Sequence, residues 1–361
     1  MLMVIFGAGA SYDSSPEFSP PQPQAIQQNF GPPPAPPNPR EFWRPPLAAK
    51  LFQDPNGAYG DIVANPSYRK LLPILPRLRR PLSGSVEQEL ETLLGEANAE
   101  ANSDSERKRQ FFAVRYYLHD LLLKVSEEWL KHTSGVTNYA TLLDQIRHLT
   151  PVGGAVCLVT FNYDLLLDRA LLSFGFKQDD PENQSHPTFK LLKPHGSVDW
   201  ARYIEADPNT RLGVEQVIQQ ADTIKLTDEY LRANASDPRS IHAFGRPVAP
   251  AIAVPVQTKT ENFFEWPRSQ SLTFEQFLPS VTKILIIGWQ AQEAHFLKLL
   301  RENFPKPQPS HLMVVDMEDG ASRILTRFID QTGFRPPNLL TGRQGFTHFV
   351  VNREGEAFLR A

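Results

Sequence analysis

Cysteine is nearly absent: the chain has one in 361 residues, Cys157. A lone thiol forms no intrachain disulfide and cannot supply the several Cys or Cys/His ligands of a structural zinc site. Cys157 lies inside an apolar run and reads as a small core residue, since free cysteine packs as a hydrophobe. The usage fits a reducing cytoplasm. Long hydrophobic runs are missing too, so no segment approaches the roughly 20 apolar residues of a membrane helix. Residues 1–6 are apolar, but they lack the basic lead and the length of a signal peptide, and they read as a strand. Positive charge is not in excess. A net charge of −3 gives no broad nucleic-acid footprint, which needs a clustered basic surface. The one basic run, Arg77-Leu78-Arg79-Arg80, is short, proline-flanked and reads as solvated surface. There is no His-x-x-x-His pair or carboxylate cluster to suggest a metal site, and no internal repeat.

What is present begins with apolar strands that end in small or polar residues. Residues 2–6, 155–160, 188–193, 283–287 and 311–315 each fit a buried strand. Helical patterns separate several of them, at about 164–174 and from 289 to about 301. Strands alternating with helices indicate a Rossmann-like parallel sheet with helices on both faces. Residues 47–146 read mostly as helices, a helical insertion at about 50–146. Ser85 with Gln88 fits a capping box. Residues 106–132 carry Phe111, Val114, Tyr117, Leu118, Leu121, Leu122 and Val125 at three- and four-residue steps, an apolar face suited either to a core or to an oligomer interface. Residues 200–280 are weakly patterned.

Proline is concentrated at 16–46, where a long helix is impossible because proline removes a donor and clashes with the preceding turn. Such a segment can be a linker. Its place after a glycine-rich turn, and its Phe18, Phe30, Phe42 and Trp43, favour a loop that borders a ligand cleft.

Three strand ends carry the chemistry. Gly7-Ala8-Gly9-Ala10-Ser11 follows the first strand. Glycines there allow close backbone approach to a phosphate, although a tight strand-to-helix turn needs them equally. The third glycine of a dinucleotide fingerprint and the Lys-Ser/Thr of an NTPase loop are both missing. Thr160, Asn162 and Asp164 follow the second apolar run on alternate positions, so in a strand they share a face. His195 stands between Pro194 and Gly196 at a third strand end, placed to act as a general base near neutral pH or to be a satisfied structural residue. Gly288-Trp289 and Asp316 close two late strands. Asp316 can hold a ribose hydroxyl or cap a helix.

Together these motifs resemble the sirtuin superfamily, and more closely its bacterial sirtuin-like NAD-hydrolase branch. The resemblance rests on Gly7-Ala8-Gly9-Ala10-Ser11, Thr160-Phe161-Asn162-Tyr163-Asp164, Lys193-Pro194-His195-Gly196-Ser197-Val198-Asp199-Trp200, Arg44-Pro45-Pro46-Leu47 and Ile287-Gly288-Trp289, in the expected order along nearly the whole chain. It implies a single NAD-binding domain over 1–361 that cleaves NAD⁺ to nicotinamide and ADP-ribose without a metal. Implied roles are Asn162, His195 and Asp164 for catalysis. Residues 7–11 would hold the pyrophosphate and Asp316 the adenosine ribose, with Thr160, Gly196, Gly288 and Trp289 as further contacts. It also implies an antiphage role through NAD⁺ depletion, homo-oligomerisation, and a HerA-type ATPase or short Argonaute as partner, with no direct nucleic-acid or membrane contact. The departures are the missing four-cysteine zinc module and Pro-Asp-Phe-Arg segment, Phe161 in place of glutamine, and Gln290 in place of a serine. They argue against peptide deacylation. An ADP-ribosyltransferase, a deacylase and a non-enzymatic NAD or ADP-ribose sensor are the alternatives.

Overall fold

A computed structural model describes residues 1–18, 20, 39–53, 65–99, 104–149, 154–177, 181, 186–206, 211–233, 242–243, 245–256, 265–304 and 309–361. Most of the proline-rich segment, Phe30 included, lies outside them.

The strands are β1 (Leu2–Phe6), β2 (Val156–Thr160), β3 (Phe189–Leu192), β4 (Gly196–Ile204), β5 (Leu226–Arg232), β6 (His242–Ala243), β7 (Arg246–Ile252), β8 (Lys283–Ile287), β9 (His311–Val315) and β10 (Asn338–Gly342). The helices are α1 (Ala8–Tyr12), α2 (Leu75–Arg79), α3 (Val86–Ala99), α4 (Asp104–His132), α5 (Asn138–Leu149), α6 (Leu166–Leu172), α7 (Val214–Gln219), α8 (Arg268–Phe277), α9 (Ala294–Asn303), α10 (Gly320–Thr332), α11 (Gly345–Val351) and α12 (Glu356–Arg360).

Six strands form one sheet in the order β10-β9-β8-β1-β2-β3, and every pair is parallel. The expected α/β, Rossmann-like sheet is therefore present. Its central strands are apolar on consecutive positions because both faces are covered, as parallel sheets require. Leu2, Val4, Phe6, Leu158, Leu285 and Val315 pack on one face against α5, α6, α11 and α12. Met3, Ile5, Cys157, Ile284, Ile286 and Val314 pack on the other against α8, α9 and α10. Cys157 is fully buried, and burial pushes its thiol up to about 12. The strands expected at residues 2–6, 283–287 and 311–315 are present at those bounds.

A second, antiparallel sheet of order β5-β4-β7-β6 occupies the region that shows little pattern in sequence. The apolar face of α4 packs on it: Val114, Leu118, Leu121 and Val125 join Val198, Ile204, Ala249 and Ile252 in one cluster. That face is core. Ser85 Oγ accepts from Gln88 N–H at 3.1 Å, forming one arm of the expected capping box. No helix among the described residues is long and apolar enough to cross a membrane.

β1 is the point where the sheet order reverses: β2 and β3 continue to one side, β8 to β10 to the other. The crevice outside the carboxyl ends of β1 and β8 is where open α/β sheets accept ligands.

Candidate functional site

A cavity of about 650 Å³ lies at that crevice, within the size range of a small-molecule site. Its walls bring together segments far apart in sequence. Gly7, Ala8, Gly9, Ser11 and Asp13 come from the first turn, Asn162 and Asp164 from the loop after β2, and His195 from the β3–β4 turn. Gly288, Trp289 and Asp316 follow β8 and β9, and Glu87 and Gln88 reach in from α3. Pro20 and Pro45–Ala49, the described flanks of the proline-rich segment, also line it. Arg44 pins both flanks: its guanidinium donates to Tyr12 O at 2.8 Å and to Phe18 O at 2.5 Å.

The glycines close the floor. A Cβ on Gly7 would meet Trp289 Cα at 2.5 Å, and one on Gly9 would meet Gly288 Cα at 2.8 Å. Gly288 has φ +60 and would meet Ala10 N at 2.3 Å. Three N–H groups of the turn are spent internally: Gly7 on Ile287 O, Gly9 on Gly288 O and Ala10 on Gly7 O. The turn thus stitches β1 to β8 backbone to backbone, with Ala8 exposed to the cavity.

Asn162 is held in one orientation. Its Nδ2 donates to Gly7 O and Ser11 Oγ at 2.9 Å each and to Tyr139 Oη at 3.2 Å. A backbone carbonyl only accepts, so the amide nitrogen must face Gly7 and Oδ1 must point the other way as the remaining acceptor. Thr160 Oγ1 accepts from Asn162 N–H at 3.1 Å. Thr160 is buried behind the loop and does not line the cavity, and neither do Ala10 and Gly196. Sequence reasoning missed Tyr139, a buried α5 tyrosine whose hydroxyl completes this polar set. No motif marks it, because the contact spans 23 residues.

His195 is 3% exposed. Its Nδ1 lies 3.2 Å from Phe161 O. That carbonyl can only accept, so Nδ1 carries the proton and the basic lone pair of the neutral ring sits on Nε2. Tyr163 stacks on the imidazole at 5.8 Å, and Phe161 meets it edge-on at 4.8 Å. Phe161 in turn stacks on Trp289 at 5.1 Å and 7°. The aromatic residue at 161 thus makes a wall that holds the histidine. Gly196, with φ +75, lets the chain turn directly from the histidine into β4.

Burial raises the Asp164 carboxyl above its ordinary value, against the opposing pull of the Ser11 hydroxyl and the Lys193 charge. Burial likewise raises Asp13 and Asp316. Asp316 accepts from Met317 N–H at 2.7 Å and from Gln290 Nε2 at 3.2 Å. Tyr139 is pushed well up by burial, then by the Asp164 charge. The described lining includes five carboxylates (Asp13, Glu87, Asp164, Glu293 and Asp316) and no lysine or arginine. Such a field favours positive charge inside the cavity.

A raised folded-state pKa means that the ionised form is destabilising in the fold. The cost is absent below the ordinary value near 3.8, grows as pH rises through the raised value, and is complete above it. Asp164→Asn keeps an acceptor for the Leu166 N–H, 3.1 Å away, and removes the charge. The variant should be more stable than wild type at pH 8, by about 1 kcal/mol, with the gain shrinking towards pH 4. Thermal unfolding across that range measures it; an unchanged or lower Tm at pH 8 contradicts it.

No family model matches the sequence, and no curated protein does. Solved structures similar to it include a mutant Sir2 homologue in complex with ADP-ribose, at 13% identity and TM-score 0.37 over 100% of this chain and 94% of that one. A second mutant, with 2′-O-acetyl ADP-ribose, matches at 12% identity and TM-score 0.37 over 99% and 93%. A structure concerned with sirtuin substrate affinity matches at 14% and 0.32 over 98% and 94%.

Proposed function

We propose that the chain is a sirtuin-like NAD⁺ glycohydrolase, which cleaves NAD⁺ with water to nicotinamide, ADP-ribose and a proton. One observation carries this reading: an oriented Asn162 and a tautomer-fixed His195 line a single cavity at the topological switch point of a parallel sheet. Cleavage breaks the bond between nicotinamide nitrogen and ribose C1′, and cationic character builds on the sugar. The carboxylate-rich wall favours that charge. His195 Nε2 takes the proton of a ribose hydroxyl or of the attacking water. Asn162 Oδ1 accepts a hydrogen bond from the same hydroxyl or water and orients it. Asp164, beside Asn162, organises the nicotinamide end. Asp316 lies beyond β9 on the other side of the switch point, suited to the adenosine ribose. The pyrophosphate would run past the turn at residues 7–11 beside the exposed Ala8, since the N–H groups of Gly7, Gly9 and Ala10 are already paired within the protein. A role in antiphage defence, with control by self-association, a HerA-type ATPase or a short Argonaute, accompanies this reading and rests on the motif resemblance.

Purified protein incubated with NAD⁺ should release nicotinamide and ADP-ribose in equal amounts, resolved by chromatography. His195→Ala should slow release by about 10²–10⁴-fold. Absence of nicotinamide release at every protein concentration, and with either partner class added, would sink the reading.

A further inference from the structure

The cavity residues do not explain Lys193. This lysine is completely buried, two residues before the histidine. Its ammonium group donates to Asp164 O at 2.9 Å, Asp168 Oδ2 at 2.8 Å and Ser197 Oγ at 2.8 Å. An ammonium has three N–H donors, and each is matched. The three acceptors belong to three different segments: the loop that carries Asn162, the first turn of α6, and the start of β4.

We propose that Lys193 is a positioning residue for the proposed hydrolase, a clamp that sets His195 relative to Asn162 by tying their two loops to one buried charge. The same residue shapes the histidine turn through its backbone. Its carbonyl accepts from Gly196 N–H at 2.9 Å, and its own N–H donates to Gln270 Oε1 at 3.0 Å. Further bonds between the two loops run from Val198 N to Tyr163 O at 3.0 Å and between His195 Nδ1 and Phe161 O. Those bonds set direction along the strands. The Lys193 ammonium spans loop, helix and β4 together.

Stability alone gives little reason for such an arrangement. A buried ion pair replaced whole by apolar residues of similar volume is often neutral or stabilising, whereas removing one partner is strongly destabilising. The apolar pair cannot reproduce three directed bonds to three segments. This contrast separates positioning from structural support.

The test compares Lys193→Met, Asp168→Leu and the double variant Lys193→Met/Asp168→Leu with wild type. Each single variant should lose Tm, and the double variant should recover it. In the double variant kcat for nicotinamide release should stay about 10²-fold down, the expected effect of misplacing a reacting group by an ångström, with KM for NAD⁺ nearly unchanged. Selectively labelled histidine gives a readout that needs no activity: the His195 ring resonance, assigned with His195→Ala, should shift or broaden in the double variant. Recovery of Tm, kcat and the wild-type His195 resonance together would overturn the clamp. If wild type releases no nicotinamide, the hydrolase reading falls while the resonance still decides the clamp. If the double variant does not fold, Ser197→Ala replaces it. That variant removes one acceptor and should lower kcat with KM unchanged and displace the same resonance; a wild-type kcat and resonance would overturn the clamp.

Discussion

Gly196→Ala is expected to destabilise the protein by about 2–5 kcal/mol and to abolish whatever the His195 turn does. Two costs add. A non-glycine residue held at φ +75 loses roughly 1–2 kcal/mol. The new methyl would then stand 1.9 Å from Ala251 O and 2.8 Å from Ala251 C. Those atoms are backbone in β7, whose next residue, Ile252, pairs with Gly196 of β4, so they yield only by displacing the strand. Overpacking of this kind typically costs about 1–3 kcal/mol more, a large part of a total stability of roughly 5–15 kcal/mol. Gly333→Ala separates the two costs. Gly333 has φ +69 as the C-cap of α10, with nothing within 4 Å of a Cβ, and should lose only the conformational share. Tm and the His195 ring signals report both effects. A Gly196→Ala protein as stable as Gly333→Ala would show that β7 relaxes freely.

Asn162→Ala is expected to lower nicotinamide release by about 10³-fold, the scale seen when one oriented polar group is lost from a reacting site. Its cost in stability should be modest beside that, on the order of 1–3 kcal/mol for the acceptors left behind. Gly7 O loses its side-chain donor, while Ser11 Oγ and Tyr139 Oη, 2.9 Å apart, keep each other. Asn162→Asp sharpens the result. It keeps size but sets a carboxylate oxygen against Gly7 O, where only a donor fits, so it should be both inactive and less stable than Asn162→Ala. Release rates at saturating NAD⁺, with circular dichroism to confirm folding, decide it. Near wild-type turnover by Asn162→Ala would remove Asn162 from the chemistry.

Local pattern and tertiary context contribute differently to these expectations. Residues 2–6, 283–287 and 311–315 are legible as strands because a parallel strand covered on both faces is apolar at every position. β5, with Thr227, Asp228 and Glu229 in its middle, and β7, with Pro247 and Pro250, hide their strand character. Their faces are half solvated or interrupted by proline, so no period stands out. β10 (Asn-Leu-Leu-Thr-Gly) is missed for the same reason: it is an exposed edge strand with little apolar contrast.

Within the site, Asn162, Asp164 and His195 stand out in sequence because polar groups interrupt apolar strands at their carboxyl ends. Tyr139 and Glu87 do not, and Lys193 appears only as part of the motif around His195, with no role of its own. Tyr139 and Glu87 sit on helices whose periodicity explains them as ordinary helical residues, and a lysine in sequence announces solvent rather than a fully buried clamp. The sequence alone determines the strand-and-helix alternation, the glycine turn and which polar groups stand at the strand ends, because these depend on residue type and short spacing. The tertiary structure decides the direction of the Asn162 amide, the tautomer of His195 and the clamp beneath them. Each depends on a hydrogen-bond partner from another segment, 23 residues away at Tyr139 and 155 away at Gly7 in the case of Asn162, and chain folding alone brings such partners together.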